Sequence, residues 1–256
     1  MDPKDAAYSE RYCAFIDILG FRGLIDDLEK GRISLGDVYR ALSAVHSPKP
    51  ALRRIEADLK YQRISDAIAI SAAPNAPGLD ALCTAAEELS RMLLRSGYFA
   101  RGGITKGRLY HDQNMVFGPA QVEAYRLESE VAKYPRILIP RSVATEGLNY
   151  SKDATHWKDV FEGRFLQARD GPFFLHVLRD LSRKAEALAT RKPRASAEED
   201  AELILAKQMR NAIQKRFDEA SDNPDHFQKI DWFVHYWNSQ MGHGIQGLEE
   251  IRPQPL

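Results

Sequence analysis

The chain has 256 residues, a length that suits one sizeable domain with an appendage or two small domains. Hydrophobic residues make up 44% and charged residues 28%, which excludes an intrinsically disordered chain and leaves enough apolar surface for a real core. Lysine plus arginine and aspartate plus glutamate each total 36, so no net positive charge supports broad, non-specific nucleic-acid binding.

Tyr12 to Leu19 (YCAFIDIL) is a nearly continuous apolar run ending at Gly20, and it predicts a buried strand. Arg22 to about His46 is amphipathic with helical spacing, and Pro48 and Pro50 end it. Leu59 to Ala72 places Ile64, Ile68 and Ile70 at alternating positions, which predicts strand, with a turn plausible near Ile64 to Asp66. Leu79 to Arg95 carries leucines at helical spacing. Strands follow at Phe99 to Leu109 and Asn114 to Phe117 around a His111-Asp112 turn. A helix is expected from Pro119 to Ala132, a short strand at Ile137 to Ile139, and a hairpin from Phe161 to Val177 turning at Asp170-Gly171-Pro172.

This order predicts an α+β fold of the ferredoxin-like, βαββαβ kind over residues 1–178. From 179 to 256 the composition shifts to Ala, Glu, Lys and Arg, interrupted by a polar segment at 192–196, which predicts a C-terminal helical extension packed on the first domain. Trp232, Phe233, Tyr236 and Trp237 form two aromatic pairs at i, i+4 spacing, a pattern that usually serves packing. Cys13 and Cys83 are the only cysteines, each in an apolar run, and read as buried small hydrophobes. None of the seven histidines, His235 and His243 among them, has convincing metal-ligand spacing with a carboxylate, and they read as structural or solvent-exposed. No apolar stretch approaches the roughly 20 residues that cross a bilayer, and the first residues lack an apolar signal core. A cytoplasmic location without membrane contact is expected.

Asp17 sits inside CAFIDIL and Asp66 inside a segment otherwise committed to core. An ionised carboxylate in a desolvated strand is costly unless a cation or several donors compensate it. Either aspartate alone could be a structural residue bonded to backbone amides. Two of them on adjacent strands, about 4.8 Å apart, would repel unless a cation sat between them. Hard divalent ions between carboxylates are the usual device for moving phosphoryl groups. Lys106 and Arg108 flank Gly107 and could face a triphosphate or stand as solvated charges at a strand end, and Gly102-Gly103 permits close backbone approach. No Gly-rich P-loop, nucleophile elbow or kinase set is present.

Phe15-Ile16-Asp17-Ile18-Leu19-Gly20-Phe21 resembles the F-x-D-I-x-G-F signature of class III nucleotidyl cyclases. Ser65-Asp66 resembles the family's Gly-Asp step between two strands, and Arg101 to Gly107 (RGGITKG) resembles its strand R-x-G-I-x-x-G. Gly118 to Glu128 (GPAQVEAYRLE) resembles its helix G-x-x-V-N-x-A-x-R-L-E. The motifs span roughly residues 12 to 140, in the family's order. The resemblance implies a head-to-tail homodimer with active sites at the interface. Asp17, Asp66 and the backbone carbonyl of Ile18 would hold two divalent cations, Mn²⁺ or Mg²⁺. Arg126 of a second copy would stabilise phosphate charge in the transition state.

Two departures bear on the substrate. The family's helix asparagine is Val122 here, with only Gln121 beside it to supply an amide, and the purine-specifying lysine or glutamate is Gln62. FIDILGF, SDAIAIS, RGGI, GPAxxEAY and DWFVHYWN together resemble the pyrimidine cyclases of bacterial Pycsar anti-phage systems. That resemblance implies conversion of UTP to 3′,5′-cyclic UMP and pyrophosphate, with a separate cyclic-nucleotide-gated effector responding to the product. Tyr61 and Arg101 become candidates for holding the pyrimidine nucleotide. The alternatives are a cytidylate cyclase making cyclic CMP, an adenylate cyclase, or a catalytically inactive nucleotide-binding module.

Overall fold

Strand β1 (Ser9–Leu19) organises the sheet, because its side chains are apolar toward both faces and each face needs cover. In this computed structural model, which describes residues 8–43, 56–153, 155–189, 201–241 and 245–253, β1 lies between two antiparallel neighbours. β2 (Lys60–Ile64) and β3 (Ala67–Ala72) form a hairpin, and β3 pairs with β1. On the other side β1 pairs with β4 (Phe99–His111). Helices α1 (Phe21–Glu29) and α2 (Leu35–Ser43) connect β1 toward β2, and α3 (Ala76–Leu94) connects β3 to β4. The strand order β2-β3-β1-β4, all antiparallel, with this βαββαβ connectivity is the expected ferredoxin-like arrangement.

The sheet continues beyond that unit to eight strands. β5 (Val116–Phe117) pairs with the end of β4, β6 (Ile137–Ile139) runs parallel to β4, and β7 (Phe165–Gln167) and β8 (Phe173–Leu175) complete the edge as a hairpin. Strand alternation divides the core. Tyr12, Ala14, Ile16 and Ile18 join Ile68, Ile70 and the leucines of α3 in the main cluster. On the other face Cys13, Phe15, Ala67, Ala69 and Leu109 pack under Ala120 and Ala124 of α4 (Pro119–Arg126). Both cysteines are buried, as expected.

The helix expected over 22–46, of which 44–46 lie outside the described residues, is broken in two. Gly31 takes a left-handed conformation at φ 68° just past α1, and Ser34 caps α2 by exchanging hydrogen bonds with Asp37. The helix expected over 119–132 ends in a π turn, Leu127–Val131, closed by the Ala132 amide donating to the Leu127 carbonyl. Helices α5 (Arg141–Asp153) and α6 (Thr155–Phe161) occupy a stretch without a sequence expectation. Three C-terminal helices follow: α7 (Arg179–Ala189), α8 (Ala201–Glu219) and α9 (Pro224–Met241). The aromatic stripe of α9 is packing: Phe233 meets Phe99 edge-on at 5.1 Å, Trp232 stacks on Tyr134 at 5.7 Å, and Trp237 is fully buried. Among the described residues no helix is long and apolar enough to cross a membrane. Pro48, Pro50, the 192–196 segment and His243 lie outside the described residues.

Candidate active site

Asp17 stands near the end of β1 on the α4 face, opposite Ala67 of β3 and Arg101 of β4. Asp66 is in the two-residue turn that precedes Ala67, with Ser65 in a left-handed conformation at φ 59°. The turn lies where one was expected, and it removes Ile64 from the alternation with Ile68 and Ile70. Ile64 pairs with Ala67 on the face of Asp17, whereas Ile68 and Ile70 point into the main core. The two aspartates, 49 positions apart in the sequence, therefore come together at neighbouring strand ends.

Their charges are felt. Burial pushes the Asp17 carboxyl above the ordinary aspartate range; the Arg101 guanidinium opposes this, Asp66 adds to it by like-charge repulsion, and the Ile18 amide donates a stabilising hydrogen bond. Arg101 Nη2 lies 3.5 Å from Asp17 Oδ2 and also pairs with Glu128. Glu128 is 4% exposed. Its carboxyl is likewise pushed up, first by burial, against the pull of Arg101 and with reinforcement from Asp17 and Asp66. Asp17 and Glu128 thus share one guanidinium, with Asp66 adding like charge to both, and the buried Arg101 Nε has no hydrogen-bond partner.

Glu128 received no role from the sequence, although it closes the GPAQVEAYRLE motif. Local backbone brings it inward. A Cβ on Gly103 would lie 2.5 Å from Leu127 Cβ and 2.8 Å from the Ala124 carbonyl, so only glycine lets α4 and its π turn settle this close to β4. The turn then buries Leu127 over Gly103 and Glu128 beside Arg101.

The other candidates lie farther out. Arg126 is exposed on α4 and grips Glu123 through two 2.8 Å hydrogen bonds, and Val122 is 67% exposed. Tyr61 belongs by register to the face opposite Asp17 and lines an open cleft with Lys60, Asp112 and Asn114. Gln62 is on the Asp17 face, where its amide nitrogen donates to the Asn114 carbonyl at 2.7 Å and its buried Oε1 has no hydrogen-bond partner. Lys106 points to the other side of the sheet, onto Glu146 of α5 at 2.6 Å and over the Tyr12 ring, so it does not face the Asp17 site. Arg108 is exposed and stacks on Tyr8 at 4.5 Å.

The donor chemistry at Asp17 and Asp66 fits a hard divalent cation. Both side chains are carboxylates, and each adds like charge to the other's surroundings beside the single guanidinium of Arg101. Among the described residues no group of three or more His, Cys, Asp or Glu is placed to hold a metal ion by itself. Magnesium-like ions are commonly held by one or two carboxylates plus substrate phosphates rather than in all-protein cages.

No protein-family model and no curated protein matches the chain. Among solved structures it is similar to the monomeric guanylyl cyclase domain of the RhoGC fusion protein from the aquatic fungus Blastocladiella emersonii, at 15% identity over 66% of this chain and 95% of that one, TM-score 0.40. It is similar to the guanylate cyclase domain of RhGC from Catenaria anguillulae in complex with GTP, at 16% identity, 66% and 96% coverage and TM-score 0.38. A bacterial light-regulated adenylyl cyclase matches at 14% identity, 66% and 90% coverage and TM-score 0.39.

Proposed function

We propose that this chain is a nucleotidyl cyclase that converts UTP to 3′,5′-cyclic UMP and pyrophosphate, working as a homodimer with divalent cations held by Asp17, Asp66 and the Ile18 carbonyl. The observation that carries the reading is the meeting of Asp17 and Asp66 at adjacent strand ends with too little positive charge around them. The ordered cyclase-like motifs through Arg101 and Arg126 specify which chemistry that deficit serves. Mn²⁺ or Mg²⁺ bound there supplies the charge that acidifies the ribose 3′-hydroxyl and neutralises the triphosphate.

In the reaction the 3′-oxygen forms a bond to the α-phosphorus as its proton leaves to solvent. The bond from that phosphorus to the bridging oxygen breaks, and pyrophosphate departs. Few side chains are needed, because a loose phosphoryl transition state gains mainly from positioning and electrostatics. Arg126 projects from the surface of α4 beside exposed Val122 and Tyr125, which suits delivery of its guanidinium to a second copy's site. Arg101 faces the carboxylates and belongs on the phosphate side of the nucleotide. Tyr61 belongs with the cleft beyond β2.

A pyrimidine substrate is supported by Gln62 and Val122, which replace the purine-reading lysine or glutamate and the helix asparagine. The choice of UTP over CTP, the cytoplasmic setting and a role in anti-phage signalling through a cyclic-nucleotide-gated effector rest on resemblance to the Pycsar cyclases. The test incubates purified protein with Mn²⁺ and each of the four ribonucleoside triphosphates and separates the products by chromatography. Cyclic UMP alone supports the reading, cyclic CMP or cyclic AMP overturns the substrate, and no product under any condition favours a binding module.

A further inference from the structure

We propose that Glu128 is a positioning residue that sets the cation affinity of the Asp17 site by holding the Arg101 guanidinium away from Asp17. The inference rests on the cation reading of Asp17 and Asp66. Arg101 Nη2 is shared unequally: its contact with Glu128 is the close one, and Asp17 Oδ2 lies 3.5 Å away. A guanidinium beside Asp17 supplies the same compensation that an arriving cation would, so it competes with that cation for the carboxylate. The buried Glu128 carboxylate, 5% exposed in its side chain against 20% for Asp17, attracts the guanidinium through the drier medium, where Coulomb attraction is stronger.

The placement is built into the backbone. Gly103 admits the helix end, the π turn rotates Glu128 inward, and Leu127 packs where a side chain on residue 103 would stand. With Glu128 neutral, Asp17 becomes the nearer carboxylate for Arg101 and the cation must displace it. A purely structural ion pair, closing the helix end onto the sheet, makes a different prediction. It ties Glu128 and Arg101 to stability and leaves cation affinity untouched.

The experiment measures Mn²⁺ binding to the full chain without nucleotide, by calorimetry or by the electron paramagnetic resonance of free Mn²⁺, alongside urea unfolding. Glu128→Gln is expected to weaken binding about tenfold, at the lower end of the effects usual for outer partners of metal ligands. Arg101→Met is expected to bind more tightly than wild type. The double variant Arg101→Met/Glu128→Gln is expected to regain at least wild-type affinity, because no guanidinium remains to compete. A structural role cannot produce that recovery. Wild-type affinity in Glu128→Gln, or a double variant as weak as Glu128→Gln, overturns the proposal. Should Glu128→Gln not fold, Arg101→Met decides alone, and affinity no tighter than wild type sinks the idea. Mn²⁺ binding that Asp66→Ala abolishes but these variants leave unchanged spares the proposed function. No Mn²⁺ binding to wild type removes both.

Discussion

Arg164 and Arg101 are each set between two carboxylates, and they differ in how completely their donors are used. Arg164, 1% exposed at the start of β7, donates to Glu87 through Nε at 2.8 Å and Nη2 at 3.0 Å, to Asp80 through Nη1 at 2.7 Å, and to Thr84 at 2.7 Å. Arg101 shares one nitrogen between Asp17 and Glu128 and leaves a buried Nε without a hydrogen bond. Buried charges persist as structure when every lone pair and proton is satisfied. A cluster that keeps carboxylates in excess and donors unmatched has lower stability than it could have, and such clusters concentrate at functional sites. The first region is closed on itself; the second leaves a buried donor unmatched.

Substitution should separate the two sharply. Asp66→Ala is expected to abolish cyclic nucleotide formation while leaving the urea midpoint near that of wild type, because it removes a proposed cation ligand and also a repulsion felt by Asp17. Activity surviving that change would dissolve the distinction. Arg164→Met leaves Asp80 and Glu87 buried without their guanidinium, and is expected to cost about 3–5 kcal/mol of stability. Arg101→Met, at a site 20% exposed and already short of hydrogen bonds, is expected to cost clearly less. Equal losses in the two unfolding curves would show that the clusters are energetically alike.

Much of this contrast was legible in the residues. Asp17 stands out because apolar neighbours flank it on both sides of a strand, and the alternating or helical runs of β1, β3, α3 and β4 fixed the ferredoxin-like order. The break at Gly31 and Ser34-Leu35-Gly36-Asp37 carried a readable signal, a left-handed stop followed by a capping pair. Other features depend on packing that one-dimensional spacing does not encode. Glu128 looks like a solvated helix-end charge until Gly103 lets the helix approach. Lys106 could not be oriented without α5, and α5 is too polar for its pattern to stand out, with Val143 and Ala144 among its few buried residues. Ile64 misled because the two-residue turn at Ser65-Asp66 reverses the strand and resets which positions share a face.

Acidification offers a second separation, with opposite signs in different parts of the molecule. Burial, reinforced by Arg11 and Lys60, lowers His111 to about 4, and burial with Arg179 lowers His176 to about 4. An unfolded histidine titrates near 6.5, so between that pH and 4 the unfolded chain binds more protons than the folded one. Stability from these neutral histidines is complete above 6.5 and is lost as pH falls toward 4, by up to roughly 3 kcal/mol each. Asp17 and Glu128 run the other way: with folded pKa values raised, they bind protons more readily when folded, and their penalty at neutral pH is relieved by acid. Urea unfolding from pH 7 to 4 should therefore be flatter in His111→Gln than in wild type. Asp17→Asn should be more stable than wild type at pH 7, with the gain shrinking as pH falls. A pH-independent difference for either variant would count against these assignments.

The subtlest separation is expected at Gly103. An added methyl group there meets Leu127 Cβ at 2.5 Å and the Ala124 carbonyl at 2.8 Å, too close for either to remain in place. Overpacking of this kind usually costs about 1–3 kcal/mol, and here the strain is best relieved by lifting the π turn off β4. That movement withdraws Glu128 from Arg101 without altering any charge. Gly103→Ala is therefore expected to reproduce the weakened Mn²⁺ binding of Glu128→Gln, together with a modest drop in the unfolding midpoint. Combining it with Glu128→Gln should weaken binding little further, because both changes disable the same contact. If the two effects on affinity instead multiply, the close approach at Gly103 and the Glu128 carboxylate act on the site by separate routes, and the backbone is not what delivers the one to the other.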